Sequence, residues 1–399
     1  MKIVFYTEMY SENMGYVENL LPKAVAKLGH EVHVIASSAQ VYFNSPDYKK
    51  TYEPFLGPNI VEPVVKHIDG YTLYRLPLRH SVRRNIIRMK GLGPLLEKIH
   101  PDVIQTFEIY SIAIYDAALE AKRLHIRLFT ENHIHASVFD QKDIKIKLRH
   151  WLMNFPRKLR FINQTTVKHY PIAEDAAKIS VEYFKVPPEK IEIQSLGVDA
   201  DMFTPVVTAQ EKDERNRMRK EWGLLPGDLV CIYTGRFTKD KNPGCLAQAI
   251  RHLQANGHQD IKAIFVGNGA PEEVNFIKAI KGCIVHPFVK VDKLAPFYRL
   301  ADIGVWPRQE STSQLDAMAC GLPVIVSDRV GVRERVEGNG LFYEENNYID
   351  LANKILQLAD WSLRKQLAER GMEKIRESFS WEAIAKKRTA DYKKSLPLE

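Results

Sequence analysis

Short β-branched apolar runs alternate with amphipathic helical stretches twice over along this chain, and that alternation leaves few folds open. Residues 2–6 read as a strand, and residues 17–28 then place Leu20, Leu21, Val25 and Leu28 on one face at helical spacing. Gly29-His30 ends that helix, and residues 31–36, with Val32, Val34 and Ile35 apolar, form the next strand. Residues 103–106 and 127–130 are further strands, with a helix over 112–123 between them. The second half repeats the rhythm, with strands at 229–234, 261–266, 303–306 and 323–327 and helices at 244–255, 294–300 and 314–320. Strands that alternate with helices require crossovers and therefore parallel sheets. At 399 residues the chain exceeds one ordinary core and suits two domains of roughly 150–200 residues each. The expected fold class is α/β, two doubly wound Rossmann-like domains, with the charge-rich stretch 208–220 after Pro205 as a linker.

Composition narrows the function classes. No apolar run approaches the roughly 18 residues of a membrane span, and the apolar start is too short for a signal peptide, so a cytoplasmic location is expected. Cys231, Cys245, Cys283 and Cys320 form no close pair, which argues for buried thiols and against a zinc site or disulfide framework. The net charge of +8 is unevenly placed. Arg75, Arg79, Arg83, Arg84, Arg88 and Lys90 fall in an acid-free stretch, and Lys142, Lys145, Lys147, Arg149, Arg157, Lys158 and Arg160 face only Asp143. Solvated helix faces or attraction to an anionic membrane surface or phosphorylated acceptor both fit this pattern. The few aromatics nearby, including Tyr71 and Trp151, follow no nucleic-acid recognition pattern.

Ligands in parallel α/β sheets sit where strands end and helices begin, and three loops of the second half stand out there. In the first, Gly235 ends a strand and Arg236 and Lys241 follow, a forked guanidinium and a point-charge ammonium able to stabilise a leaving diphosphate without a metal. Ordinary surface cations are the plainer reading. In the second, residues 308–316, Ser311, Thr312 and Ser313 offer helix caps and backbone amides, and Asp316 one turn later can accept from two ribose hydroxyls or merely favour the helix start. In the third, Gly267-Asn268-Gly269 follows a strand without the further glycine of a dinucleotide fingerprint, which argues against a dehydrogenase. Those glycines let the backbone turn, beside a bound nucleotide or simply as a turn.

Read in order, these motifs resemble the retaining GT-B glycosyltransferases of the family 4 type, which include sucrose synthases and phosphatidylinositol mannosyltransferases. The resemblance runs through Gly15-Tyr16-Val17-Glu18 before a helix ending Leu28-Gly29-His30, then His133 after a strand, then Leu196-Gly197-Val198-Asp199 with Phe203 and Pro205. It continues through Gly235-Arg236 with Lys241, Gly267-Asn268-Gly269, and the string from Asp316 through Cys320-Gly321-Leu322-Pro323 to Ile325. It implies residues 1–200 as an acceptor-binding domain, 201–375 as a nucleotide-sugar-binding domain, and 376–399 as a helix returning to the first domain across a central cleft. Trp381, Ile384, Ala385, Arg388 and Tyr392 fit one face of such a helix.

The resemblance also implies roles. Arg236 and Lys241 would hold the donor diphosphate, Asp316 the ribose, and the Gly15 loop would face the cleft. His133, or its neighbour His135, would sit near the transferred sugar. The co-substrate would be a UDP- or GDP-sugar with no metal or other cofactor, and the acceptor a glycan or lipid-linked molecule in cell-surface polysaccharide assembly. The chain departs from the family at two points. Where two glutamates seven residues apart are usual, Asp316 replaces the second and Arg308 occupies the first position, leaving Glu310 as a substitute if the loop is rebuilt. Tyr16 stands where a second glycine is expected. A non-catalytic nucleotide-sugar-binding subunit, or a sugar-nucleotide epimerase with additional cleft carboxylates, are the alternative readings.

Overall fold

Each apolar run singled out above forms a strand in the computed structural model, which describes residues 1–12, 14–81, 86–135 and 155–397. The chain divides into two units, Met1–Leu196 with Ile384–Glu399, and Gly197–Ala383. Of the basic residues noted above, Arg83, Arg84, Lys142, Lys145, Lys147 and Arg149 lie outside the described residues, as do Asp143 and Trp151.

The first unit is built on β1 (Lys2–Thr7), β2 (Glu31–Ser37), β3 (Val64–Ile68) and β4 (Tyr71–Leu76), followed by the antiparallel pair β5 (Leu78–Ser81) and β6 (Ile86–Met89), then β7 (Val103–Thr106), β8 (Arg127–Asn132) and β9 (Thr166–Pro171). Its main sheet runs β3-β4-β2-β1-β7-β8-β9 and is parallel except for β3. The second unit holds β10 (Leu229–Thr234), β11 (Ile261–Val266), β12 (Cys283–His286), β13 (Ile303–Trp306), β14 (Val324–Ser327) and β15 (Gly340–Tyr343) in the parallel order β12-β11-β10-β13-β14-β15. Both sheets are covered by helices, so strands such as β10 are buried along their whole length and read as continuous apolar runs. Cys231, Cys245 and Cys320 are buried free thiols, and Cys283 is half-buried. Among the described residues no helix is long and apolar enough to cross a membrane.

Strand order reverses between β1 and β7 in the first unit and between β10 and β13 in the second. Such switch points open a crevice at the carboxyl ends of the strands, the general ligand position in this architecture.

Two sequence expectations are corrected. The stretch 208–220 is no linker but the helix Ala209–Glu221, with Thr208 and Glu211 forming a capping box. Its buried Arg219 donates to the carbonyls of Leu300 at 2.8 Å and Asp228 at 2.6 Å, which ties the polar helix to the second core. Arg75, counted above in a surface basic cluster, is buried, its guanidinium 5.2 Å from the Tyr10 ring centre.

The helix Trp381–Ser395 packs by its inner face within the first unit. Arg388, 1% exposed, donates to Glu131 Oε1 at 2.6 Å, to Gln105 Oε1 at 3.2 Å and to Gln194 Oε1, and lies 3.6 Å from the Tyr170 ring centre. Tyr392 adds a hydrogen bond to Gln105 Oε1 at 3.0 Å. Burial disfavours the Glu131 charge, yet Arg388 and His133 together hold its pKa below the usual value. Arg388→Met would leave that carboxylate buried without its partner. The expected cost is about 3–5 kcal/mol, read by urea unfolding of the first unit, and it should shrink in acid as Glu131 takes up a proton.

Candidate active site

At the switch point of the first unit, three neighbouring strands each carry an acid at or just beyond their carboxyl ends: Glu8 after β1, Glu108 after β7 and Glu131 in β8. Glu18, in the first turn of the helix Val17–Lys27, adds a fourth carboxyl. His133 lies among them, its Nε2 3.7 Å from Glu131 Oε1. Burial opposes charge on this imidazole, but Glu131, Glu108 and Glu18 outweigh it and bring the pKa up to about 9. Burial also raises Glu108 to about 7, with repulsion from Glu8, Glu18 and Glu131 adding and attraction to His133 opposing. Glu8 and Glu18 are raised by burial too. Among the described residues, the buried Glu108 Oε2, Glu131 Oε2 and His133 Nε2 have no hydrogen-bond partner. At neutral pH the group therefore offers a protonated imidazole among carboxyls held above their usual range, an arrangement able to hold a hydroxyl.

His135 is set elsewhere, with Nδ1 3.1 Å from Asp175 Oδ2. Gly15 has φ +68°, a left-handed conformation that glycine adopts at no steric cost, and it delivers Tyr16 to the start of the helix. Glu8, Glu108 and Glu131 were not singled out in the sequence. The available signal was an acid closing an otherwise apolar strand run.

In the second unit the loops after β10, β11 and β13 come together. The Phe237 amide donates to Asn268 O at 2.8 Å, and the Gly235 amide to Val266 O at 3.0 Å. The two chains run so close that a Cβ on Gly267 would collide with Gly235 O, and one on Gly269 with Phe237 O. The need for glycine at these two positions is thus close backbone approach. Asn268 Oδ1 accepts from the Phe288 amide at 3.2 Å.

Lys241 reaches across to the next loop, where its Nζ donates to Glu310 O at 2.6 Å. Burial, reinforced by Arg236, pulls its pKa down, against the attraction of Glu310 and Asp240. Arg236 is exposed, and its carbonyl is fixed by the Tyr233 hydroxyl at 2.8 Å. Glu310 Oε1 accepts from the Gly331 amide at 2.5 Å. Arg308 turns instead to Glu345, 3.4 Å from Nε to Oε1. Ser311 Oγ accepts from the Ser313 amide at 3.3 Å, and Ser311 O from the Gln314 amide at 3.2 Å, so the turn consumes two of the amides that the sequence offered. Thr312 ends the loop at the start of the helix Ser313–Ala319. Asp316 lies one turn along that helix, its carboxyl raised to about 8 by burial and then by Asp199. The buried Gln314 amide beside it has both polar atoms without a partner.

The chain thus has two doubly wound α/β domains, one with a histidine–carboxylate group and the other with a cation pair at its switch point. Family models place it. The model described as "Glycosyl transferases group 1" matches residues 228–360, and the one described as "Glycosyltransferase Family 4" matches residues 16–202. The chain belongs to this family of GT-B glycosyltransferases. It is 29% identical over 212 residues to a D-inositol 3-phosphate glycosyltransferase of Xylanimonas cellulosilytica, covering 49% of each chain. It is 25% identical over 386 residues to an N-acetyl-alpha-D-glucosaminyl L-malate synthase of Bacillus anthracis, covering 93% of this chain and 91% of that one. The solved structure of HepE from Anabaena in complex with UDP shares the fold, with a TM-score of 0.67 at 16% identity over 99% of this chain and 100% of that one. The chain spans between 49% and 63% of the length of the curated relatives it first matches.

The Asp316 pKa carries a test. A carboxyl raised from 3.8 to about 8 in the folded state is best tolerated when protonated. Its ionisation destabilises the fold progressively from about pH 4 to pH 8, and by a constant amount above. Asp316→Asn should therefore raise Tm, with a gain that grows over that window and then levels off. A pH-independent difference in paired thermal melts would refute the assignment.

Proposed function

We propose that this chain is a nucleotide-sugar-dependent glycosyltransferase that retains anomeric configuration and requires no metal. The observation that carries the reading is Lys241 held against the Glu310 carbonyl beside Arg236, at the switch point of the second unit. Two cations placed there suit a diphosphate that gains charge as the sugar bond breaks. Asp316 would hold the ribose, and the Gly235, Gly267, Asn268 and Gly269 turns, with Ser311 and Thr312, would lie against the nucleotide. HepE is described as binding UDP and UDP-glucose, which favours a UDP-sugar over a GDP-sugar as donor.

In the first unit, His133 as imidazolium would hold a hydroxyl of the transferred sugar, and the Gly15 loop would border the acceptor. In a front-face reaction the departing phosphate oxygen takes the acceptor proton as the new glycosidic bond forms on the same face. An acceptor in cell-surface polysaccharide assembly, glycan or lipid-linked, fits this site. Peripheral attachment to an anionic membrane would rest on the exposed Arg79, Lys90, Arg157 and Arg160. It predicts stronger sedimentation with acidic than with neutral liposomes, lost in 0.5 M salt as screening sets in on the scale of a few ångströms, about 3 Å near 1 M.

The four carboxyls around His133 favour one second reading, epimerisation of the bound sugar nucleotide. Nucleotide release from UDP-, GDP-, ADP- and CDP-sugars, with and without a membrane glycan extract, separates the two. Transfer releases nucleoside diphosphate and leaves an axial or equatorial product linkage visible by NMR, whereas epimerisation alters the sugar while it stays joined to the nucleotide. Arg236→Ala should lower extract-stimulated release by about 100-fold, the scale of losing one transition-state donor. Near-normal turnover in a folded variant would sink the role given to Arg236.

A further inference from the structure

The first unit carries a row of aromatic rings that the reading above leaves unused. Tyr16 takes the position where the family pattern has glycine, and its hydroxyl lies 3.1 Å from that of Tyr42. Tyr42 stacks on Tyr52 with ring centres 4.6 Å apart and an interplanar angle of 21°, and Tyr52 meets Phe55 at 6.1 Å. Tyr16, Tyr42 and Phe55 are 36%, 44% and 49% exposed. Tyr42 has φ +61°, a backbone conformation uncommon for a residue of its size, and the strain is maintained while the ring is presented to solvent.

The loop that bears these rings is firmly built. Ser11 Oγ donates to Gln40 Oε1 at 2.7 Å, Gln40 Nε2 to Leu56 O at 2.9 Å, Asn59 to Phe43 O at 2.9 Å, and the Tyr48 hydroxyl to Gly57 O at 3.1 Å. Phe55 also lines an open groove of about 480 Å³, with Gln40, Lys66, Arg75 and Glu12 on its polar sides. That size falls within the range of small-ligand pockets, about 300–1,000 Å³.

The row has a direction. Tyr16 is two residues from Glu18, whose carboxyl interacts with His133 and Glu131. Glu18 thus lies between Tyr16 and the His133 group in the chain of interactions, and the ring contacts lead on from Tyr16 through Tyr42 and Tyr52 to Phe55 and the groove.

We propose that this row and groove form an extended acceptor subsite for a neutral oligosaccharide, with the reacting ring at Tyr16 on the Gly15 loop and further rings laid over Tyr42, Tyr52 and Phe55. The inference rests on the transferase reading. A pyranose ring has an apolar face that stacks on an aromatic ring and an edge of hydroxyls, and the tyrosine hydroxyls and the exposed Lys66 answer that edge. An acyl chain would find its path broken by the phenol hydroxyls and the Glu12–Lys66 ion pair at 3.0 Å. A small acidic acceptor would meet the carboxyls around His133 and make no use of the row.

The experiment measures binding of glucose through maltotetraose and of N-acetylglucosamine through chitotetraose to the whole chain, by saturation-transfer NMR and calorimetry, with UDP binding measured in parallel. In at least one series affinity should rise by about tenfold or more from one ring to four, the scale of one or two aromatic contacts. Tyr42→Ala should flatten that rise, Tyr42→Phe should preserve it, and UDP affinity should stay unchanged in both. Equal affinity for one and four rings in both series, or a rise indifferent to Tyr42→Ala, overturns the subsite while leaving the transferase reading intact. Absence of UDP, GDP, ADP and CDP binding as well would remove that reading too.

Discussion

The pairing of Arg388 with Glu131 is the interaction on which the chemistry of the first unit depends. At 2.6 Å the attraction amounts to about 6 kcal/mol at an effective dielectric of ~20, set against a burial penalty of several kcal/mol for each ion. The pair therefore comes near to breaking even as a source of stability. What it fixes is a state of charge. With Arg388 below it, Glu131 stays ionised, and an ionised Glu131 keeps the proton on His133 despite burial. The charge state of the His133 group is thus set by a residue 257 positions further along the chain than Glu131.

The two units share a plan and differ in sign. Each places its polar side chains at the point where strand order reverses, since only there do neighbouring crossovers part and leave room. The first unit fills that place with carboxyls and one histidine, the second with Arg236 and Lys241. A cation pair suits an anionic group such as phosphate, whereas acids around an imidazolium suit neutral polar groups such as hydroxyls. One architecture, used twice, yields two environments of opposite charge.

Most of this architecture was legible because buried parallel strands are long apolar runs, and Lys2–Thr7, Leu229–Thr234 and Ile261–Val266 announce themselves. The outer β3, the alternating β4, the β5–β6 pair, β9 and the half-exposed β12 and β15 carry no such run and are not read from the sequence. The helix Ala209–Glu221 was taken for a linker because its hydration masks its periodicity, and it is anchored by hydrogen bonds of a buried arginine, which an apolar pattern cannot show. Of the site, the loops after β10, β11 and β13 were found from glycine, cation and cap residues, whose meaning is local. The acids around His133 escaped because their meaning is collective. Glu8, Glu108 and Glu131 lie far apart in sequence and become one group only through the strand order β1-β7-β8. The same holds for Arg308, whose partner Glu345 belongs to a different loop.

The route of the chain adds something to this picture. The first unit consists of Met1–Leu196 completed by residues that follow the entire second unit. Chains are made from the amino end, and domains ordinarily fold as they emerge. Here residues 1–196 emerge before Arg388, the donor to Glu131, Gln105 and Gln194, has been made. The second unit, made later, is continuous and needs nothing from outside itself to close its core. The first unit is consequently completed only after the whole second unit has been made, and Glu131 gains its cationic partner only with the helix Trp381–Ser395.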